Sequence, residues 1–278
     1  MLAKKKKLLT AFAFISVSFV VINAYSFEKC FLLLETSPYK FVVNPTHYKE
    51  SWQYDGKISQ VSKKLEDAGY IRYEGQSGSF ISDDFYLLIN DHELALNSNV
   101  HIFIHTLQTE MPRLTEVMKI SSREYFELVQ LAFGILEVET KFGRSPKFWL
   151  KELFPKSVSL AKRLVRKNMS ANSRGLTQIK KIPQSIETHY GYKPSDLNAP
   201  EAAAITTIGY LVDAISELHG KIERYNVTSV DLKNFYEHLI YIYTGRSSQL
   251  INNTATPDKN IYIKKIRKRR ASIVVYYR

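Results

Sequence analysis

The chain has 278 residues, 45% of them hydrophobic and 24% charged, with 11 Gly and 9 Pro. This composition excludes extensive disorder and is enough to bury a core in one or two domains, while a single cysteine, Cys30, excludes a disulfide framework or a multi-cysteine zinc site. The net charge of +12 is localised: Lys4–Lys7 supply four lysines, residues 259–278 supply eight basic residues and no acid, and residues 8–258 are formally neutral.

Met1-Leu-Ala-Lys-Lys-Lys-Lys7 is a basic opening, followed by an apolar run from Leu8 to Ala24 and small residues at Ala24-Tyr25-Ser26. That order is the layout of a secretion signal. The run also reaches the lower limit for a membrane span, roughly 17 residues, so an uncleaved anchor is the alternative. Phe27-Glu28-Lys29 before Cys30 lacks the small residue that lipoprotein processing needs. The expected location is therefore the periplasm or cell envelope, with 1–26 as signal or anchor.

Residues 27–96 read as a small mixed region without chemistry. Turn signals stand at Tyr54-Asp-Gly56 and Glu74-Gly-Gln-Ser-Gly78, and Ile58–Ala68 is a short amphipathic helix. From Ser82 the chain is expected to be mainly helical, without a strong breaker between Asp83 and Glu110. Pro112 opens or kinks a helix that runs to about Lys119. Ser121-Ser-Arg-Glu124 is a capping-box signature that starts a helix lasting to Phe142-Gly143. Pro146 starts another to about Lys167, which Pro155 must kink or divide. Ser173–Pro183 is irregular. Further helices are expected from Asn198-Ala-Pro-Glu201 to His219-Gly220 and from Thr228-Ser-Val-Asp231 to Tyr243-Thr-Gly245. Ile273–Tyr277 is β-prone but isolated, in a basic C-terminal tail (256–278) that suggests a polyanion contact or, as the alternative, a solvated or membrane-hugging extension.

Val129–Val138 is apolar almost all round, which marks a buried helix, so the two acids near its end need explaining. Glu137 has Lys141 four residues ahead, in the favourable orientation for an ion pair. Glu139 lies about 200° from it around the helix, on the row of Leu128, Leu131, Ala132, Ile135 and Phe142. Its helical neighbours include no base. A carboxyl group so placed should be harder to ionise, which a general acid near neutral pH requires. A core glutamate hydrogen-bonded by a distant part of the chain is the alternative.

Glu139-Thr-Lys-Phe-Gly143 resembles the Glu-Ser-x-Phe motif of the soluble-lytic-type, lysozyme-like lytic transglycosylases. Ser173-Arg-Gly-Leu-Thr-Gln-Ile179, followed by Pro183, resembles that family's Ser-x-Gly-Leu-Met-Gln-Ile. Pro200-Glu201 to Tyr210-Leu211 has the spacing of its next helix, and Tyr243-Thr-Gly245 stands where Ala-Tyr-Asn-x-Gly is expected. The ordered likeness spans about Ser121–Gly245. There are departures: Thr177 replaces Met, Ala203 and Thr207 replace Asn and Gly, and either Tyr241 or Tyr243 could be the site tyrosine. The Glu139–Ser173 interval is also longer, and it holds most of the ten basic residues that Ser145–Lys181 sets against Glu152.

The resemblance implies a mainly α protein, with a lysozyme-like α+β catalytic domain (97–255) dominated by helices. It implies cleavage of the β-1,4 bond between N-acetylmuramic acid and N-acetylglucosamine of peptidoglycan glycan strands. Glu139 would act as acid and then as base, closing a 1,6-anhydro ring. Ser173, Gly175, Leu176, Gln178, Tyr241 and Tyr243 would contact the substrate. A lysozyme-like hydrolase and a catalytically impaired peptidoglycan-binding scaffold are the alternatives. Tyr190, Tyr192, Tyr236 and Tyr241 could stack on sugars or simply pack. The basic segments could meet anionic wall polymer or membrane, or be solvated. No metal or other cofactor and no nucleic acid are expected, and a monomer is. His101 and His105 are spaced as a helical metal pair but lack any further motif.

Overall fold

The computed structural model describes residues 36–37, 40–43, 52–54, 58–75, 85–89, 96–146, 148, 173–231 and 234–278. The elements are β1 (Thr36–Ser37), β2 (Lys40–Val43), β3 (Trp52–Tyr54), α1 (Ile58–Asp67), β4 (Ile71–Arg72), β5 (Phe85–Ile89), β6 (Leu96–Asn97), α2 (Ser98–Thr109), α3 (Met111–Met118) and α4 (Ser122–Thr140). They continue with α5 (Gln184–Tyr190), a 3-10 turn at Asp196–Asn198, α6 (Pro200–Tyr225), α7 (Phe235–Tyr243), α8 (Ser248–Ile251), a 3-10 turn at Pro257–Lys259, α9 (Ile261–Arg270) and β7 (Ile273–Tyr277). The protein is mainly helical, as expected. The leader, Cys30 and most of the Pro146–Lys167 stretch lie outside the described residues, as does most of the basic cluster. Among the described residues no helix is long and apolar enough to cross a membrane.

The apolar composition of α4 makes it the centre of the body. Tyr125, Phe126, Leu128, Val129, Leu131, Ala132, Phe133, Ile135 and Leu136 are all fully buried. At roughly 1.5–3 kcal/mol for each large apolar side chain, this helix contributes much of the fold's cohesion. Its start is fixed by the capping box read in the sequence. The Ser121 hydroxyl accepts from the Glu124 amide at 3.2 Å, and the Ser121 amide donates to the Glu124 carboxylate at 2.9 Å.

The molecule departs from the sequence-based expectation at two places. Residues 85–89 form a strand, not part of a helical stretch. An antiparallel sheet runs in the order β3-β2-β5-β7-β4, with β1 and β6 paired separately. Phe85, Leu87 and Ile89 on β5, with Ile273 and Val275 on β7, face the helical core; Leu88, Val274 and Tyr276 face Leu65 of α1. A strand covered on both faces reads as a continuous apolar run, which periodicity does not separate from a buried helix.

The C-terminal residues, in turn, are not a solvated tail. β7 is an interior strand, and α9 packs on α4 with Ile263 and Ile266 fully buried. Arg267 makes paired 2.6 Å hydrogen bonds to Glu237 and a third to Asp258. Arg269 pairs with Glu137 at 3.2 Å, and Arg270 with Glu127. The arginines thus join the fold's own carboxylates, two of them buried, so the helix folds inward.

α9 approaches α4 at Gly134, where an added Cβ would lie 2.8 Å from Ile266 Cγ2 and 3.1 Å from the Ile266 carbonyl oxygen. Tyr262 meets Glu139, Ile266 meets Gly134 and Arg270 meets Glu127, so the two helices run antiparallel. Elsewhere boundaries move. α6 continues past Gly220 to Tyr225, and α7 begins at Phe235, because Asp231 caps a turn at the Asn234 amide instead of opening the helix.

Candidate active site

Glu139 occupies the last turn of α4, and the motif after it ends the helix. The Thr140 hydroxyl donates to the Leu136 carbonyl at 3.0 Å and accepts from the Gly143 amide at 3.0 Å. Lys141, Phe142 and Gly143 follow with φ of 52°, 57° and 75°. Three consecutive left-handed residues turn the chain sharply, and burial of Phe142 against Phe133, centroids 5.2 Å apart, holds that turn. The Thr, Phe and Gly of the motif are therefore scaffolding for the position of the acid.

Glu139 has a partner that sequence reasoning missed: the Tyr262 hydroxyl donates to Oε1 at 2.5 Å. Tyr262 lies at the start of α9, where Asn260 caps the helix by accepting from the Tyr262 and Ile263 amides at 3.0 and 3.3 Å. The available signal was an Asn followed by apolar residues at 262, 263 and 266 inside the basic run. Burial first, then the Tyr243 and Glu139 charges and the bond to Glu139, hold the Tyr262 phenol far above the ordinary tyrosine range. It remains a donor at any physiological pH.

Glu137 is paired by Arg269 of α9, not by Lys141, which is the left-handed cap of α4. Both acids therefore meet a partner from α9, Glu137 a guanidinium and Glu139 a phenol. A third carboxylate of the helix, Glu127, accepts from the Tyr73 hydroxyl at 2.9 Å and pairs with Arg270.

The irregular segment is a tight loop closed by the Arg174↔Ile179 bridge, with amide bonds of 2.8 and 3.0 Å. Gly175 (φ 70°) is required there, since a Cβ would sit 2.0 Å from the Leu197 carbonyl oxygen. Gln178 donates from Nε2 to the Gly175 carbonyl at 2.7 Å and accepts from the Ser173 hydroxyl at 3.3 Å. Ser173 and Gln178 thus brace the loop. Leu176 is buried in the core at 3% exposure, so it can meet a ligand only through its backbone.

Two departures from the family pattern meet each other. The Thr177 and Thr207 hydroxyls are 2.7 Å apart and buried, and Thr207 donates to the Ala203 carbonyl at 2.5 Å. This hydroxyl pair fastens the loop to α6.

Of the two candidate tyrosines, Tyr243 reaches the loop by donating to the Thr177 carbonyl. Burial, then the Glu139 charge, push its phenol well above the usual range. Tyr241, 1% exposed, packs beside His238 and touches an open groove that Tyr262 also lines. Tyr190 and Tyr192 stack on each other elsewhere; Tyr190 donates to Glu110 at 3.0 Å, and the Arg113 guanidinium lies 4.1 Å from its ring centre. Tyr236 packs edge-on against Phe235. Burial pushes His101 down to about 4 and lowers His105. Among the described residues no three His, Cys, Asp or Glu are gathered as a metal site. No family model, curated protein or solved structure matches the chain.

Proposed function

We propose that this chain is an exported, lysozyme-like lytic transglycosylase that cleaves peptidoglycan with Glu139 as its single acid and base. The reading rests on one observation: Tyr243, whose phenol feels the Glu139 charge, binds the loop at Thr177, which puts the acid and the loop of the resemblance in one place. The Tyr262 bond taken alone fits a braced core glutamate equally well. Segments 173–179 and 200–211 and the Tyr243 helix end, which carry part of the resemblance, are joined through Tyr243, Thr177 and Thr207, and Glu139 acts on Tyr243 by its charge.

Anchoring Oε1 on Tyr262 holds the carboxyl group at a set geometry and, as a donor to the charged form, favours the carboxylate that acts in the base step. The acid form protonates the glycosidic oxygen as the C1–O bond breaks. The carboxylate then takes the proton of the muramyl 6-hydroxyl while O6 bonds to C1, and no water is consumed. Glycosidases that work by hydrolysis generally pair two carboxylates. The other acids of α4 are engaged elsewhere, Glu137 by Arg269, Glu127 by Arg270 and Glu124 in the capping box, which favours one-carboxylate chemistry.

The test is mass spectrometry of digested peptidoglycan. Anhydromuropeptides are expected from the parent protein and from Glu137→Gln, with a loss of about 10²–10⁴-fold in Glu139→Gln. Reducing products would make it a hydrolase. Activity that survives Glu139→Gln would sink the assignment.

A further inference from the structure

An open groove of ≈ 510 Å³ borders the candidate site, and Tyr262, which holds Glu139, forms part of its wall. That volume suits a small ligand or a short peptide. The groove is built mainly from residues 246–265, beyond the segment that resembles the transglycosylases. Arg246, Lys259 and Lys265 line it, and its lining includes no acid.

The contrast with the rest of α9 is informative. Arg267, Arg269 and Arg270 are each matched to carboxylates of the fold. Arg246, Lys259 and Lys265 are exposed and take no carboxylate among the described residues. Like charges gathered in a concave surface focus a positive field and raise the local concentration of anions. Gln249 and Thr256 add neutral hydrogen-bonding groups, while Val138 and Ile261 supply apolar surface. Cations, amide-like partners and apolar wall together match an amino-acid chain bearing carboxylates better than a bare phosphate.

We infer that this groove binds the carboxylate-bearing peptide attached to the muramic acid of the glycan, beside the bond that Glu139 cleaves. The inference rests on the peptidoglycan reading above. The groove would select strands that carry their peptides, with the two lysines and Arg246 meeting the carboxylates.

The experiment uses full-length Glu139→Gln protein, so that strands are bound without being cut. Its affinity is measured for glycan strands with their peptides and for the same strands after amidase removal of the peptides. Stem-bearing strands are expected to bind more tightly. The Lys259→Glu/Lys265→Glu double variant, with its fold checked by circular dichroism, is expected to lose about tenfold or more of that affinity, and the loss should shrink in high salt. Equal binding of both strands, or an unchanged affinity in the double variant, overturns the groove assignment. So does lysine-dependent capture of phosphatidylglycerol vesicles in place of strands. The two proposals fail separately. Cleavage without peptide dependence removes the groove and leaves Glu139 in place; peptide-dependent binding in a parent protein that cuts nothing does the reverse.

Discussion

Gly134→Ala tests whether the close approach of α9 to α4 is what holds Tyr262 over Glu139. The new Cβ would stand 2.8 Å from Ile266 Cγ2, 3.1 Å from the Ile266 carbonyl oxygen and 3.2 Å from its Cα. The methyl group can rotate away, but the other two atoms are backbone, so α9 itself must retreat by several tenths of an ångström towards ordinary contact of about 3.5–4.0 Å. Overpacking of this kind costs roughly 1–3 kcal/mol, and alanine's better helix propensity returns about 0.8–1 kcal/mol. A net loss of about 0–2 kcal/mol should lower Tm by roughly 2–4 °C per kcal/mol in a chain of this size. Tyr262 sits one turn before Ile266, so it moves with the helix, and cleavage should fall further than the stability loss accounts for. Gly220→Ala is the control, because nothing lies within 4 Å of its Cβ position. It should stabilise α6 by about 0.4–1 kcal/mol. Urea unfolding and anhydromuropeptide release measure both effects. A Gly134→Ala protein as stable and active as its parent would refute the close-packing account.

Tyr262→Phe should flatten the alkaline loss of stability. The folded-state pKa of Tyr262 is raised, so its contribution is complete below the unfolded value near 10 and is lost as pH rises above it, at about 1.4 kcal/mol per pH unit. Urea midpoints between pH 9 and 11 in parent and variant report that slope, and an unchanged slope would remove Tyr262 from its buried contact. Thr207→Val should cost more than Thr177→Val, about 1–3 kcal/mol against less, because it leaves the Thr177 hydroxyl buried without its acceptor. The double variant should cost less than the sum of the two, as read by a denaturation cycle. Gly175→Ala adds left-handed strain of about 1–3 kcal/mol to the 2.0 Å contact with Leu197. It should release the loop and abolish cleavage; a folded and fully active variant would show that the loop does not shape the site.

The parts of the fold legible in the sequence are those whose signal is local. The Ser121–Glu124 capping box, the all-round apolar α4 and Pro200 at the start of α6 each combine a cue with its cause within a few residues. The illegible parts depend on partners far along the chain. Six basic residues in Ile261–Arg270 read as a solvated tail because, apart from Asp258, the acids that answer its arginines, Glu237, Glu137 and Glu127, lie 30 to 143 positions away. β7 looked isolated because β5, its partner, reads equally well as helix. The same limit applied to the site. Glu139 stood out by position on its helix, whereas Tyr262, 123 residues later, offered only a cap and a short apolar spacing inside a charged run.

Backbone conformation gives a separate reason to treat Glu139 as part of a built site. Outside glycine, left-handed φ occurs among the described residues at Lys119, Lys141, Phe142, Gln178, Asn226 and Asn253. Asn226 and Asn253 are residues that tolerate this region, and Lys119 and Lys141 are helix C-caps, where it is common. Only Phe142 and Gln178 are neither. A bulky residue held there costs on the order of 1–3 kcal/mol and persists only where its surroundings impose it. These two positions fall in the two short motifs, one directly after the acid and the other in the loop that Tyr243 binds. Packing of Phe142 on Phe133 imposes the first, and the Gln178 bonds to Gly175 and Ser173 impose the second. Under the proposed function that strain is what keeps the carboxyl group and the loop in fixed relation.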